Sequence, residues 1–274
     1  MYYAIDFVTS EEQTEVVNAL FLEDFEAVEF TDSGFSGYFP IGVNADSLMP
    51  KLKELQFAHD FSFLVREIKD ENWNAQWEAG FKPVEIGDFC RIFAEFHERK
   101  EGFVHQVLIN PKMAFGTGHH ETTHMMIRAM EHLSVEGKIL DFGTGTGILA
   151  ILARKMGAPA GIIANDIEAP AVENSRENMV INGVNGIDFR LGGIDIVPEK
   201  GFDLVLANIN RNVILASMKP LLDRLKVGGQ VLFSGIMKQD YQMVKDKCYE
   251  NGLVEQMYLE LNNWVCTLFL HRKD

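Results

Sequence analysis

The sequence predicts an α/β protein: a Rossmann-like, doubly wound and mostly parallel sheet over residues 83–274, preceded by a small ferredoxin-like α+β domain over residues 1–69. Three observations predict it. From about residue 120 onward, apolar strand-like runs alternate with helical ones, the pattern of repeated βα units. Residues 138–151 read KILDFGTGTGILAI, a strand, a glycine turn and a helix. Residues 1–69 run in the order β-α-β-β-α-β of a split βαβ unit.

Taken in order, YYAIDFV is a strand, and SEEQTEVVNALFLED a helix with Ser10 as its N-cap and acids in its first turn. AVEFTD and GYFPI are strands around the turn Asp32-Ser33-Gly34. ADSLMPKLKEL is a helix that must place Pro50 early or kink there. FSFLVREI closes the unit. Residues 70–82 form a connecting helix with Trp73 and Trp77 on one face, and 83–109 is β-rich. Beyond it, ETTHMMIRAMEHL is helical. Then come the strands KILDF, GIIANDI, IDFRL, FDLVLANI and QVLFSGI with helices between most of them, one closed by Gly183 and another ending before Gly228-Gly229. LVEQMYLEL and WVCTLFLHR follow without a helix between them and predict an antiparallel hairpin at a sheet edge.

At 274 residues, 47% hydrophobic and 24% charged, the chain can bury a sizeable core. It has no apolar run of membrane-spanning length, and MYYAIDFVTSEEQ lacks the basic and apolar regions of a secretory signal. Cys90, Cys248 and Cys266 are odd in number and form no CxxC pair, which predicts reduced thiols in the cytoplasm and no metal site. The net charge of −15 argues against nucleic acid as a partner and suits a basic one, although acidity also serves solubility.

The first strand–helix turn of a doubly wound sheet is the usual ligand site, because amides at the helix N-terminus face the ligand. The dinucleotide pattern GxGxxG fails from Gly143, where its last glycine falls on Ile148. From Gly145 it reaches Ala150, which leaves a nicotinamide cofactor open. Asp141, two residues before the first glycine, disfavours a pyrophosphate and suits a cationic ligand end such as the amino group of S-adenosylmethionine. Asp166, at the end of the second strand, suits ribose hydroxyls. Asp188 and Asp195 lie where adenine contacts arise. Asn208 ends the fourth strand, where an amide oxygen can orient an attacking amine; its other reading is a helix cap. Asn210 is a weaker candidate.

Residues 110–124, NPKMAFGTGHHETTH, form an irregular loop marked by Pro111, Gly116 and Gly118. His120 and His124 share a helical face, but there is no HExxH pattern and no third ligand, so no metal is expected. His120 remains a candidate proton relay, and Thr122 and Thr123 suit a helix cap.

Here the chain resembles the bacterial ribosomal protein L11 methyltransferases. AFGTGHHETT (114–123) matches that family's AFGTGTHxTT loop, and WNAQWEAGFKPVEIG (73–87) its WxxxW…FKPxxIG linker. LDFGTGTG (140–147), NDIE (165–168), Ala207-Asn208-Ile209 and Ser234-Gly235-Ile236 match its further motifs. His119 departs from the family's Thr, and Glu121 from its Pro. The resemblance implies a seven-stranded class I methyltransferase domain that uses S-adenosylmethionine. It puts cofactor contacts on Thr123, Gly143, Asp166 and Asn208, with Asp141, Gly145, Phe115, Gly116 and Thr117 beside them, and Asn208 as the catalytic residue. It implies a large-subunit ribosomal protein as substrate, methylated at lysine side chains and its N-terminal amine, by a cytoplasmic monomer without nucleic-acid or membrane partners. The readings that stay open are a methyltransferase of another protein or a small amine, and a non-catalytic nucleotide-binding module.

Overall fold

The chain divides into two compact units, Met1–Phe81 and Lys82–Asp274. The computed structural model describes residues 2–10, 13, 14, 16, 17, 21, 25, 27–31, 33–40, 45–68, 82–110, 115–159 and 161–272. Apart from Lys82, the expected linker with Trp73 and Trp77 lies outside the described residues, as does most of the helix expected after Ser10.

In the smaller unit β1 (Tyr2–Thr9), β2 (Ala27–Thr31), β3 (Gly34–Pro40) and β4 (Phe61–Ile68) form an antiparallel sheet in the order β2-β3-β1-β4. This is the order a split βαβ unit gives. One face carries Ile5, Phe7, Phe35 and Phe61 into a core with Phe21 and Leu52, and Phe7 stacks on Phe35 at 4.5 Å. α1 (Ala45–Leu55) covers that core, and Pro50 sits in its interior rather than its first turn.

The larger unit starts with a three-stranded sheet of β5 (Val84–Ile86), β6 (Cys90–Phe93) and β7 (His105–Leu108). α2 (Glu121–Met130) follows. The main sheet then comprises β8 (Ile139–Phe142), β9 (Ile162–Asp166), β10 (Ile187–Leu191), β11 (Phe202–Asn208), β12 (Leu225–Met237), β13 (Leu253–Leu261) and β14 (Trp264–His271). Its order is β10-β9-β8-β11-β12-β14-β13, parallel except where β14 lies between β12 and β13. The final hairpin therefore leaves only β13 at the edge. Gly228 and Gly229 lie inside β12, which begins earlier than QVLFSGI suggested.

The strands read as continuous apolar runs because both faces are covered. Ile139, Leu204 and Leu206 face one core with α2 and α3 (Ile148–Lys155). Leu140, Val205 and Ala207 face the other with α5 (Arg211–Leu222) and α6 (Tyr241–Glu250). α4 (Ala169–Ile181) packs beside β9 and β10. All three cysteines are free and buried, and burial pushes the Cys90 and Cys248 thiols up to about 12. Among the described residues no helix is long and apolar enough to cross a membrane.

Candidate active site

After β8 the chain builds outward through β9 and β10, then returns to the other side of β8 with β11. A crevice opens at the C-terminal ends of the strands where the order reverses, the usual ligand position in such sheets. Gly143, Gly145 and Gly147 all adopt left-handed φ, at 76°, 54° and 81°. They also admit close neighbours. A Cβ on Gly143 would stand 2.3 Å from Ile209 Cγ2, and one on Gly145 2.2 Å from the Phe115 carbonyl oxygen. The Phe115 carbonyl accepts from Thr146 N–H at 2.9 Å, and the Gly116 carbonyl from Thr146 Oγ1 at 2.6 Å. The 115–120 loop is thereby fastened onto the glycine turn.

A second mooring was not foreseen. Asn174 and Asn178 on α4 and Asn182 at its C-cap repeat every four residues. Asn182 bonds both backbone groups of Leu108, Asn178 accepts from Asn110 N–H at 3.0 Å, and Asn174 donates to its carbonyl at 3.1 Å. Asn178 also donates to the Thr146 carbonyl at 2.9 Å. The signal was present in ENSRENMVING as amides on one helical face, but their spacing alone reads equally as a solvated face.

Asp141 is fully buried and does not line the crevice. Its Oδ2 accepts from Thr144 Oγ1 at 2.6 Å and Ala150 N–H at 3.2 Å, while Oδ1 has no partner among the described residues. Desolvation raises its carboxyl to about 7, against the hydrogen bonds of Thr144 and Ala150, which lower it. Asp166 lies at the crevice wall, its two oxygens accepting from Gly145 N–H at 2.9 Å and Glu168 N–H at 3.0 Å. Beside it Asn165, which the sequence reading missed, donates to the Gly192 carbonyl at 2.8 Å and leaves a buried Oδ1 unpaired. Asp188 is tied to Arg190 at 2.7 Å.

Asn208 Nδ2 donates to Thr123 Oγ1 at 3.1 Å, and its Oδ1 is buried without a partner among the described residues. Thr123 is fully buried and lines neither of the cavities described below, so what the structure gives it is this bond. The cap on α5 belongs to Asn210, whose Oδ1 accepts from Val213 N–H at 3.1 Å. Asn208 is therefore not spent on capping.

Two cavities meet at Asn208. One, about 270 Å³, runs along Gly143, Gly145, Asn165, Asp166 and Glu168. The other, about 230 Å³, is walled by Phe115, His120, Thr122, Gly235 and Trp264. Phe115, Asn208, Ile209 and Asn210 belong to both, and among the described residues neither lining includes a lysine or arginine. His120 rests edge-on against Trp264 at 4.9 Å and tilted to Phe115 at 5.2 Å. Its Nδ1 accepts from Thr122 N–H at 3.3 Å as the N-cap of α2, so the proton of the neutral ring lies on Nε2. Thr117 and His119 lie off both cavities, bonded to each other at 3.3 Å, and His119 Nε2 donates to the Lys82 carbonyl at 2.8 Å. Burial lowers His124, and no group of three metal-ligating side chains occurs among the described residues.

The family model "Ribosomal protein L11 methyltransferase (PrmA)" matches residues 4–272. The chain belongs to this family. Among curated relatives of that name, one from Phocaeicola vulgatus is 34% identical, covering 98% of this chain and 99% of the relative. One from Porphyromonas gingivalis is 36% identical over 96% and 93%. The crystal structure of a ribosomal protein L11 methylase from Lactobacillus delbrueckii subsp. bulgaricus aligns with a TM-score of 0.65 at 26% identity, over 70% of this chain and all of that one. A Pyrococcus furiosus methyltransferase, 16% identical with a TM-score of 0.51, shares the fold. The two departures from the family's loop sit together at the start of α2: His119 just before the cap, and Glu121 as its first residue.

Proposed function

We propose that this chain is an S-adenosylmethionine-dependent protein N-methyltransferase that modifies lysine side-chain and N-terminal amines of ribosomal protein L11. The observation that carries this reading is the buried, unpaired Oδ1 of Asn208 at the junction of two cavities. An orphaned buried acceptor costs about 1–3 kcal/mol unless a donor reaches it, and an incoming amine is such a donor.

The residues present fit the cofactor. Asp141 Oδ1 and Asn165 Oδ1 are also unpaired buried acceptors beside the glycine turn. Such a set favours a ligand rich in N–H donors and positive charge over a pyrophosphate, which offers neither. Gly143, Gly145, Asp166 and Asn165, which line the crevice, would hold it, with the Asp141 carboxyl buried behind the glycine turn. When bound, it supplies a methyl group already made electrophilic by its sulfonium, so the chain's task is positioning and exclusion of water.

The acceptor amine must be neutral. For a lysine of pKa about 10.4 that costs roughly 4–5 kcal/mol at pH 7. Among the described residues the lining of the cavity of Phe115, His120, Ile209 and Trp264 has no carboxylate, so desolvation there lowers the amine's pKa. Asn208 Oδ1 accepts one N–H and aims the nitrogen lone pair, while the Nδ2 bond to Thr123 fixes which end of the amide faces the amine. With His120 Nδ1 engaged in the cap, the released proton passes to solvent.

The smaller unit is the substrate grip, with residues 1–69 as the recognition domain and 70–82 as the linker on which it swings to present several amines. Residues 1–81 hold sixteen of the forty carboxylates and four of the twenty-five Lys and Arg, a net −12 of the chain's −15, which suits a basic protein. The enzyme acts as a cytoplasmic monomer without nucleic-acid or membrane partners; its buried free thiols suit a reducing compartment. Incubation with labelled donor and purified ribosomal protein, followed by mass spectrometry, should show methylated amines on that protein. Label on other proteins alone, or binding of dinucleotide but not donor in calorimetry, would overturn the reading.

A further inference from the structure

The β13–β14 hairpin turns through Asn262 and Asn263, both at left-handed φ of 47° and 66°. Trp264 is the next residue and lines the cavity on the acceptor side of Asn208. Two consecutive residues at the start of α2 grip this tip. His120 lies against the Trp264 ring, and Glu121 Oε1 accepts from Asn262 Nδ2 at 3.1 Å. On the sheet side, Lys238 N–H donates to the Asn263 carbonyl at 2.8 Å and Met237 pairs with Trp264. The sheet thus holds the tip's backbone, whereas across the cavity mouth Glu121 supplies the hydrogen bond to α2. Glu121 thus adds a side-chain tie from α2 to the tip, beside the contact of His120 with the Trp264 ring.

We propose that Glu121 is a positioning residue for the methyl acceptor: through Asn262 it fixes the hairpin tip, so that Trp264 and His120 form the aromatic wall along which the acceptor's aliphatic stem lies. This rests on the methyl-transfer reading above. It assigns the hairpin tip to acceptor selection and not to donor binding, because Trp264 lines the cavity on the acceptor side and not the one along the glycine turn.

The test uses the full chain with 5-fluorotryptophan at its three tryptophans, the Trp264 resonance being assigned by its loss in Trp264→Phe. Glu121→Ala and Asn262→Gly each remove the hydrogen bond, and glycine adopts φ of 47° without strain. Each should shift or broaden the Trp264 resonance and raise the KM for the ribosomal protein about three- to tenfold, the scale of one net hydrogen bond. Turnover at saturation and donor affinity should stay within about twofold. The double variant should match either single one, and Glu121→Gln, which keeps the acceptor oxygen, should restore the native resonance and KM. An unmoved resonance, an unchanged KM, multiplicative effects in the double variant, or Glu121→Gln behaving as Glu121→Ala would overturn the proposal. If the unsubstituted chain methylates no protein, the functional reading fails, while the fluorine spectra still report on the latch without turnover.

Discussion

Asp141 gives the sharpest test of the cofactor site. Burial raises its carboxyl from the ordinary 3.8 to about 7. At ~1.4 kcal/mol per pH unit, that span amounts to an upper bound of roughly 4 kcal/mol against ionising it in the folded chain. The sign follows from linkage: the folded state binds the proton more tightly, so the stability this group contributes is full below about pH 4 and lost as pH rises to about 7. A cationic amine bound in the crevice beside the glycine turn would reverse this by favouring the carboxylate. Near pH 6.5 part of the free protein carries the proton, so donor binding should release a fraction of a proton. Calorimetry in two buffers of different ionisation enthalpy measures this. Asp141→Asn should abolish the release, weaken donor binding at least tenfold, and flatten the stability profile between pH 4 and 7. Proton release that survives the substitution, or none in the parent near pH 6.5, would refute the coupling of Asp141 to the ligand's cation.

Asn208→Ala should lower turnover about 10²- to 10³-fold with donor affinity partly retained, measured by single-turnover methyl transfer; full turnover would remove Asn208 from the mechanism. Thr123→Val leaves Asn208 Nδ2 without its acceptor and should lower turnover about tenfold while donor binding, by calorimetry, stays near that of the parent. Gly145→Ala places a Cβ 2.2 Å from the Phe115 carbonyl at a φ of 54°; it should cost about 1–3 kcal/mol of stability in thermal melts and abolish donor binding. Added salt should raise the KM for the ribosomal protein and leave donor affinity unchanged if the acidic unit grips the protein substrate as proposed; salt-insensitive steady-state kinetics would count against an electrostatic grip.

The alternation of apolar runs made the main sheet legible, since both of its faces are buried and hydrophobic periodicity then reports every strand. The edge position of the last hairpin was half legible: the missing helix between LVEQMYLEL and WVCTLFLHR implies antiparallel pairing, but not that β14 inserts between β12 and β13. Near the crevice, Asp166 and Asn208 could be placed from the sequence because strand ends at a switch point are fixed by topology. Asp141 could be located but not its burial, which depends on Thr144 and Ala150 folding back over it. Asn165 was invisible because a buried orphan is a property of packing. Thr123 emerged as the anchor of Asn208 only when residues 85 positions apart were brought together.

The amide row along α4 has a consequence for how the enzyme is born. The backbone at Leu108 and Asn110, which leads into the loop before α2, takes hydrogen-bond partners 64 to 74 residues further along the chain. A growing polypeptide therefore exposes that stretch well before its moorings have been synthesised, and Thr123 waits longer still for Asn208. Competence to transfer a methyl group arrives late in translation, after most of the sheet is already in place, and a product truncated before α4 keeps its signature loop but lacks the amides that moor the backbone at Leu108 and Asn110.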